Sequence, residues 1–72
     1  MTVKGTVEYR EIGTGAWVLV GENGTTYELG ASAPDALLKS GLTVEVEGNV
    51  DENAMTLAAI GPVLEVKTFK EV

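Results

Sequence analysis

Apolar and polar residues alternate in short runs along this chain, and glycines punctuate the runs. Alternation with a period of two marks a strand with one buried face, because successive side chains point to opposite sides. Val3-Lys4-Gly5-Thr6-Val7-Glu8-Tyr9-Arg10 is the clearest case. Val3, Val7 and Tyr9 share one parity; Lys4, Thr6, Glu8 and Arg10 share the other. Gly5 within this run predicts a bend or a close backbone approach, as at a barrel corner.

Gly13-Thr14-Gly15 reads as a hairpin loop and leads into a second strand, Ala16-Trp17-Val18-Leu19-Val20. Both parities are apolar there; by analogy with the next strand, Trp17 and Leu19 are placed inward and Val18 and Val20 outward. Glu22-Asn23-Gly24 is the strongest turn signal, because Asn-Gly suits the positive φ angles of a tight hairpin. Thr25–Leu29 is the third strand, with Tyr27 and Leu29 inward and Glu28 outward. Ser32, Pro34, Asp35 and Gly41 then bracket the single helical signal. Its body, Asp35-Ala36-Leu37-Leu38-Lys39, is too short to form alone, so Leu37 and Leu38 must plug something apolar. Leu42–Val50 alternates again, with Val44 and Val46 inward and Glu45 and Glu47 outward. Asp51-Glu52-Asn53 turns. Ala54–Ile60 is a weaker strand whose alanines equally suit a helix, and Gly61-Pro62 ends it. Val63–Phe69 is the last strand, with Leu64 and Val66 inward and Phe69 on the outer parity unless a bulge intervenes.

Three strands, a short helix, one strand and a final broken pair make the element order of an all-β, five-stranded Greek-key barrel of the OB type, with one short helix between strands 3 and 4. An SH3-like barrel is the structural alternative. Residues 1–72 read as one domain; 72 residues leave no room for a second. The turns, core positions and plug also resemble small bacterial OB-fold domains of unknown function. The residues that carry the likeness are Gly5-Thr6-Val7, Trp17-Val18-Leu19, Gly24, Tyr27-Glu28-Leu29, Leu42–Gly48, Ala54-Met55-Thr56 and Gly61–Val66. The resemblance implies a fold and brings no activity and no catalytic residues. Some relatives with this pattern look exported or membrane-anchored.

Composition narrows the chemistry. There is no histidine and no cysteine. That removes Cys/His zinc sites, thiol nucleophiles, the Ser-His-Asp triad and disulfides. No nucleophile–base pair is visible, so the chain reads as a non-enzyme with no cofactor and no dedicated metal site. Eleven acidic residues against five basic ones give a net charge of −6. Phosphate binding relies on Lys and Arg, here only Lys4, Arg10, Lys39, Lys67 and Lys70, so the charge argues against nucleic acid. No run reaches the ~18 apolar residues of a membrane span. Met1–Gly5 holds no apolar leader-like run; cytoplasmic is the default, and a mature exported domain remains open.

Three surface features are candidates for function. Tyr9, Trp17 and Tyr27 are candidate ligand-binding residues, since OB-type barrels present aromatics on strands 2 and 3 to bases or sugars; the plainer reading puts Trp17 and Tyr27 in the core. Val18, Val20, Val63 and Phe69 would form an apolar partner surface if they face outward, unless a neighbouring loop covers them. Glu8, Glu28, Glu45, Glu47 and Glu65 could array oxygen ligands for a hard cation, or simply form a solvated face paired with Lys4, Arg10 and Lys67. Asp51-Glu52-Asn53 has calcium-friendly residues in a loop too short for calcium, and Gly13-Thr14-Gly15 lacks the lysine and helix of a phosphate loop. The leading expectation is a protein-binding or self-associating module. The alternatives are an OB-type binder of oligonucleotide, oligosaccharide or small ligand through the strand 2–3 face, and a divalent-cation binder through the outer glutamates.

Overall fold

The computed structural model describes residues 1–11, 15–30, 33–51 and 61–72. Its strands are β1 (Thr2–Arg10), β2 (Ala16–Gly21), β3 (Thr26–Leu29), β4 (Thr43–Asp51) and β5 (Val63–Glu71). A single 3₁₀ turn, Asp35–Leu37, lies between β3 and β4. The strands close into a barrel in the order β1-β2-β3-β5-β4. Every neighbouring pair is antiparallel except β3 and β5. Among the described residues, no helix is long and apolar enough to cross a membrane.

The inward parity builds the core. Val3, Val7, Leu19, Tyr27, Leu29, Val44, Val46, Leu64 and Val66 pack together with Leu37, and Trp17, Leu38 and Phe69 pack against them. β1 belongs to two ladders at once. Residues Gly5–Arg10 pair with β2, and Thr2–Thr6 pair with β4. The strand changes neighbour around Gly5, where a Cβ would collide with the Val20 carbonyl oxygen. The glycine anticipated at a barrel corner therefore sits where only a bare Cα lets two backbones approach.

The helical element is shorter than expected, three residues in a 3₁₀ turn. Pro34 precedes it in an extended conformation, with φ −71° and ψ 151°, and contributes no side-chain cap. Local propensity does not hold this turn; Leu37 is fully buried in the barrel and anchors it. The Gly41 N–H then donates to the Val7 carbonyl at 2.7 Å, and the Val7 N–H donates to the Leu42 carbonyl at 2.8 Å. These bonds tie the connection to β1. The expected cap Ser32, the turn at Glu52-Asn53, the weak strand Ala54–Ile60 and the loop residues Gly13 and Thr14 lie outside the described residues.

β5 carries the bulge that decides where Phe69 goes. Gly48 pairs with Val66, but Glu47 pairs with Thr68, so Lys67 is an extra residue on β5. Before it, even-numbered Leu64 and Val66 point inward. After it, odd-numbered Phe69 faces buried Val46 and packs half-buried against the core. Without the bulge Phe69 would fall on the outer face; the extra residue turns it in. Gly48 makes the bulge possible, because a Cβ there would strike the Glu65 carbonyl oxygen. The strand also runs on to Glu71, past the expected end at Phe69, because β4 continues beside it.

Candidate functional site

The three aromatic candidates separate into two places. Tyr9 and Trp17 are direct partners across β1 and β2. Their ring centroids are 5.1 Å apart with planes at 63°, an edge-to-face contact. Tyr9 is 45% exposed and Trp17 half-buried, so the pair lies at the end of the barrel where β1 leaves and β2 enters. The Tyr9 hydroxyl sits against Gly15, whose φ of +94° and missing side chain make room for it. Beside the pair, Arg10 reaches Glu8 at 3.3 Å.

Tyr27 is only 5% exposed and sits in the core. Its hydroxyl accepts a hydrogen bond from Asn23 Nδ2 at 3.2 Å, while Asn23 Oδ1 accepts one from the Thr25 N–H at 3.0 Å. Tyr27 thus belongs to the β2–β3 turn at the opposite end of the barrel, and it does not join Tyr9 and Trp17 in one platform.

The outer face of the barrel has one row that differs from expectation. Glu8, Val18, Glu28 and Val63 are successive cross-strand partners on β1, β2, β3 and β5. Val18 is fully buried, Glu28 is 7% exposed and Val63 is 8% exposed. Val20 is half-buried, and Phe69 is turned toward the core. Val18, Val20, Val63 and Phe69 therefore do not form one exposed apolar patch. Glu28 keeps its outward parity but not the solvent exposure predicted for it.

The remaining carboxylates do not converge. Glu45 pairs with Lys70 at 3.6 Å, and Glu47 and Glu65 are exposed. A shallow depression of about 190 Å³ runs past Thr2, Glu45, Glu47, Thr68 and Lys70. Among the described residues, no three acidic side chains come together as a cation site would require.

A feature that the sequence does not announce lies on β5. β3 is four residues long and meets β5 only at Val63 and Leu64, with Gly30 N–H adding a bond to the Leu64 carbonyl at 3.0 Å. β5 is nine residues long. Its far end, Lys67–Glu71, therefore has β4 on one side and no strand on the other among the described residues. Two backbone bonds fix which groups face out. Gly48 N–H donates to the Met1 carbonyl, so even residues of β4 address β1; Val72 N–H donates to the Thr43 carbonyl, so odd residues of β4 address β5. Antiparallel pairing then turns the N–H and C=O of Thr68 and Lys70 toward β4 and those of Phe69 and Glu71 away from it. The signal that could have found this edge is the unequal length of the two runs, but their adjacency is a matter of topology.

Fold and surface together define a small closed β-barrel with an aromatic pair at one mouth and, among the described residues, a strand edge without a partner strand along part of its last strand. Neither a known protein family, nor a curated protein, nor a solved structure matches the chain.

Proposed function

We propose that this barrel is a non-catalytic, OB-type protein-binding module that accepts an extended strand along the free edge of β5. The carrying observation is that edge. Phe69 and Glu71 direct two N–H donors and two C=O acceptors away from β4, with no paired strand there among the described residues. An unpaired edge is a template for another strand, and main-chain hydrogen bonds then supply the affinity. The strand order, with β3 and β5 parallel and β1 flanked by β2 and β4, supports the OB reading and the suspected kinship with small bacterial OB-fold domains. The absence of histidine and cysteine supports a binding role over catalysis.

The second reading is a ligand binder, and the exposed Tyr9 against Trp17 favours it. Such a surface can stack a sugar ring or a base. Its site would be the barrel mouth, since the strand 2–3 face carries the buried Val18 and Glu28. Net charge −6 favours a neutral sugar over a nucleic acid.

Selection of a displayed peptide library on the immobilised barrel separates the two. Enriched peptides that shift the Phe69 and Glu71 amides and lose binding to Glu71→Pro support the strand-accepting module. Proline at 71 removes one outward N–H and no bond to β4. No enrichment, with oligosaccharides or single-stranded oligonucleotides shifting Tyr9 and Trp17 instead, overturns it.

A further inference from the structure

We infer that Asn23-Gly24 is a site of spontaneous deamidation that the folded β2–β3 turn holds shut, so that modification there records local opening of this hairpin. The sequence supplies the chemistry. Asparagine is a chemically labile residue, and of Asn23, Asn49 and Asn53 only Asn23 precedes a glycine. With no side chain on that glycine, its backbone nitrogen can approach the asparagine side chain closely. The Gly24 nitrogen bonds to Cγ of Asn23, and the bond from Cγ to Nδ2 breaks. Ammonia leaves with the proton from the Gly24 nitrogen, and a succinimide ring remains. Water opens that ring at either carbonyl and leaves aspartate or isoaspartate at this position.

Burial does not protect the site. Asn23 and Gly24 are exposed, and a Cβ placed at Gly24 would meet no atom within 4 Å. Hydrogen bonds protect it instead. The Gly24 N–H donates to the Gly21 carbonyl at 3.1 Å, so the attacking nitrogen is engaged and keeps its proton. Asn23 Oδ1 accepts from the Thr25 N–H at 3.0 Å, and Nδ2 donates to the Tyr27 hydroxyl at 3.2 Å. The side chain also folds back across Gly21, where a Cβ would lie 2.7 Å from Oδ1. Attack on Cγ needs the amide group to turn away from these partners. Tyr27 is 5% exposed, so one end of this clamp is anchored in the barrel core.

The two products act differently on the turn. Aspartate leaves the main chain unchanged, and the Tyr27 hydroxyl, a donor as well as an acceptor, can turn its proton toward the new carboxylate. Isoaspartate adds a methylene to the main chain inside the loop that the Gly21 N–H closes on the Thr25 carbonyl at 2.9 Å. Beyond that bond, β2 and β3 pair only from Val18–Val20 to Thr26–Glu28. The isoaspartate form therefore opens more readily, and refolding does not reverse the change.

The test is incubation of the full chain at mildly alkaline pH, folded and in urea, with peptide mapping by mass spectrometry. In urea, Asn23 is expected to lose its amide first, and at least about tenfold faster than in the folded chain. Tyr27→Phe removes one bond of the clamp and keeps the ring in the core. It should speed the loss in the folded chain about fivefold. Amide exchange in the same variant should rise at Gly24 and Thr25 and stay unchanged at Val44 and Leu64.

No loss at Asn23 in urea would mean that the pair is not a deamidation site. Equal rates in the folded and unfolded chains, or a Tyr27→Phe variant no faster than wild type, overturn the clamp. Acceleration matched by faster exchange at Val44 and Leu64 overturns local opening, because the whole barrel would then be the gate.

Discussion

Truncating Leu37 tests whether a lone buried side chain, and not helical propensity, holds the connection between β3 and β4. Leu37 is fully buried in the barrel core, although its own helical element is three residues long and lacks a side-chain cap. Leu37→Ala removes buried methyl groups from a site walled by strands, which relax little. Such changes cost about 2–5 kcal/mol. A chain of 72 residues has a total stability of about 4–11 kcal/mol. A loss near 3 kcal/mol is thus a large share, and it lowers Tm by about 12–24 °C at this size. Leu38 is the internal control. It is half-buried and packs at the margin of the same cluster, so Leu38→Ala should cost only about 1 kcal/mol. Thermal unfolding followed by far-ultraviolet circular dichroism reads both. Equal effects of the two truncations, or a drop below about 4 °C for Leu37→Ala, would refute the plug and return the connection to its own local bonds.

Three further outcomes follow from named contacts. Gly5→Ala drives a Cβ into the Val20 carbonyl oxygen, a backbone atom that cannot swing aside; a loss of about 1–3 kcal/mol in denaturant titration is expected, and a neutral result would mean that β1 and β2 are not that close. Asn23→Ala removes the hydrogen bond to the Tyr27 hydroxyl and the bond from Thr25 N–H, which should cost about 1 kcal/mol and speed amide exchange at Thr25; unchanged exchange there contradicts the turn geometry. Tyr9→Ala uncovers the indole it contacts, so acrylamide should quench Trp17 fluorescence more strongly than in the wild type, and equal quenching would place the two rings apart.

The core could be read from the sequence wherever alternation is strict. Val3 and Val7, Tyr27 and Leu29, Val44 and Val46 all point inward for the reason their spacing suggests. Gly5 at the corner was equally legible, since a glycine inside an alternating strand needs a structural cause. Phe69 was not, because its direction depends on an extra residue at Lys67 that follows from Gly48 approaching Glu65 on a different strand. Val18 and Glu28 show the same limit: parity gives the face of a sheet, but exposure depends on what lies over that face. The aromatic candidates divided for a geometric reason. Two of them oppose each other across β1 and β2, whereas the third has its hydroxyl committed to Asn23. The open edge needed the knowledge that a nine-residue strand lies beside a four-residue one.

The placement of the last strand between β3 and β4 also sets an order of events in time. β1, β2 and β3 are neighbours in sequence as well as in space, so their hairpins can form quickly and locally. β4 must then find β1 across the intervening β2 and β3, a pairing of long sequence separation that slows folding. Until β5 arrives, β3 and β4 each expose an unpaired flank. During synthesis from the N-terminus, four strands can emerge before the one that joins those flanks, leaving a partly made barrel with two adhesive sides.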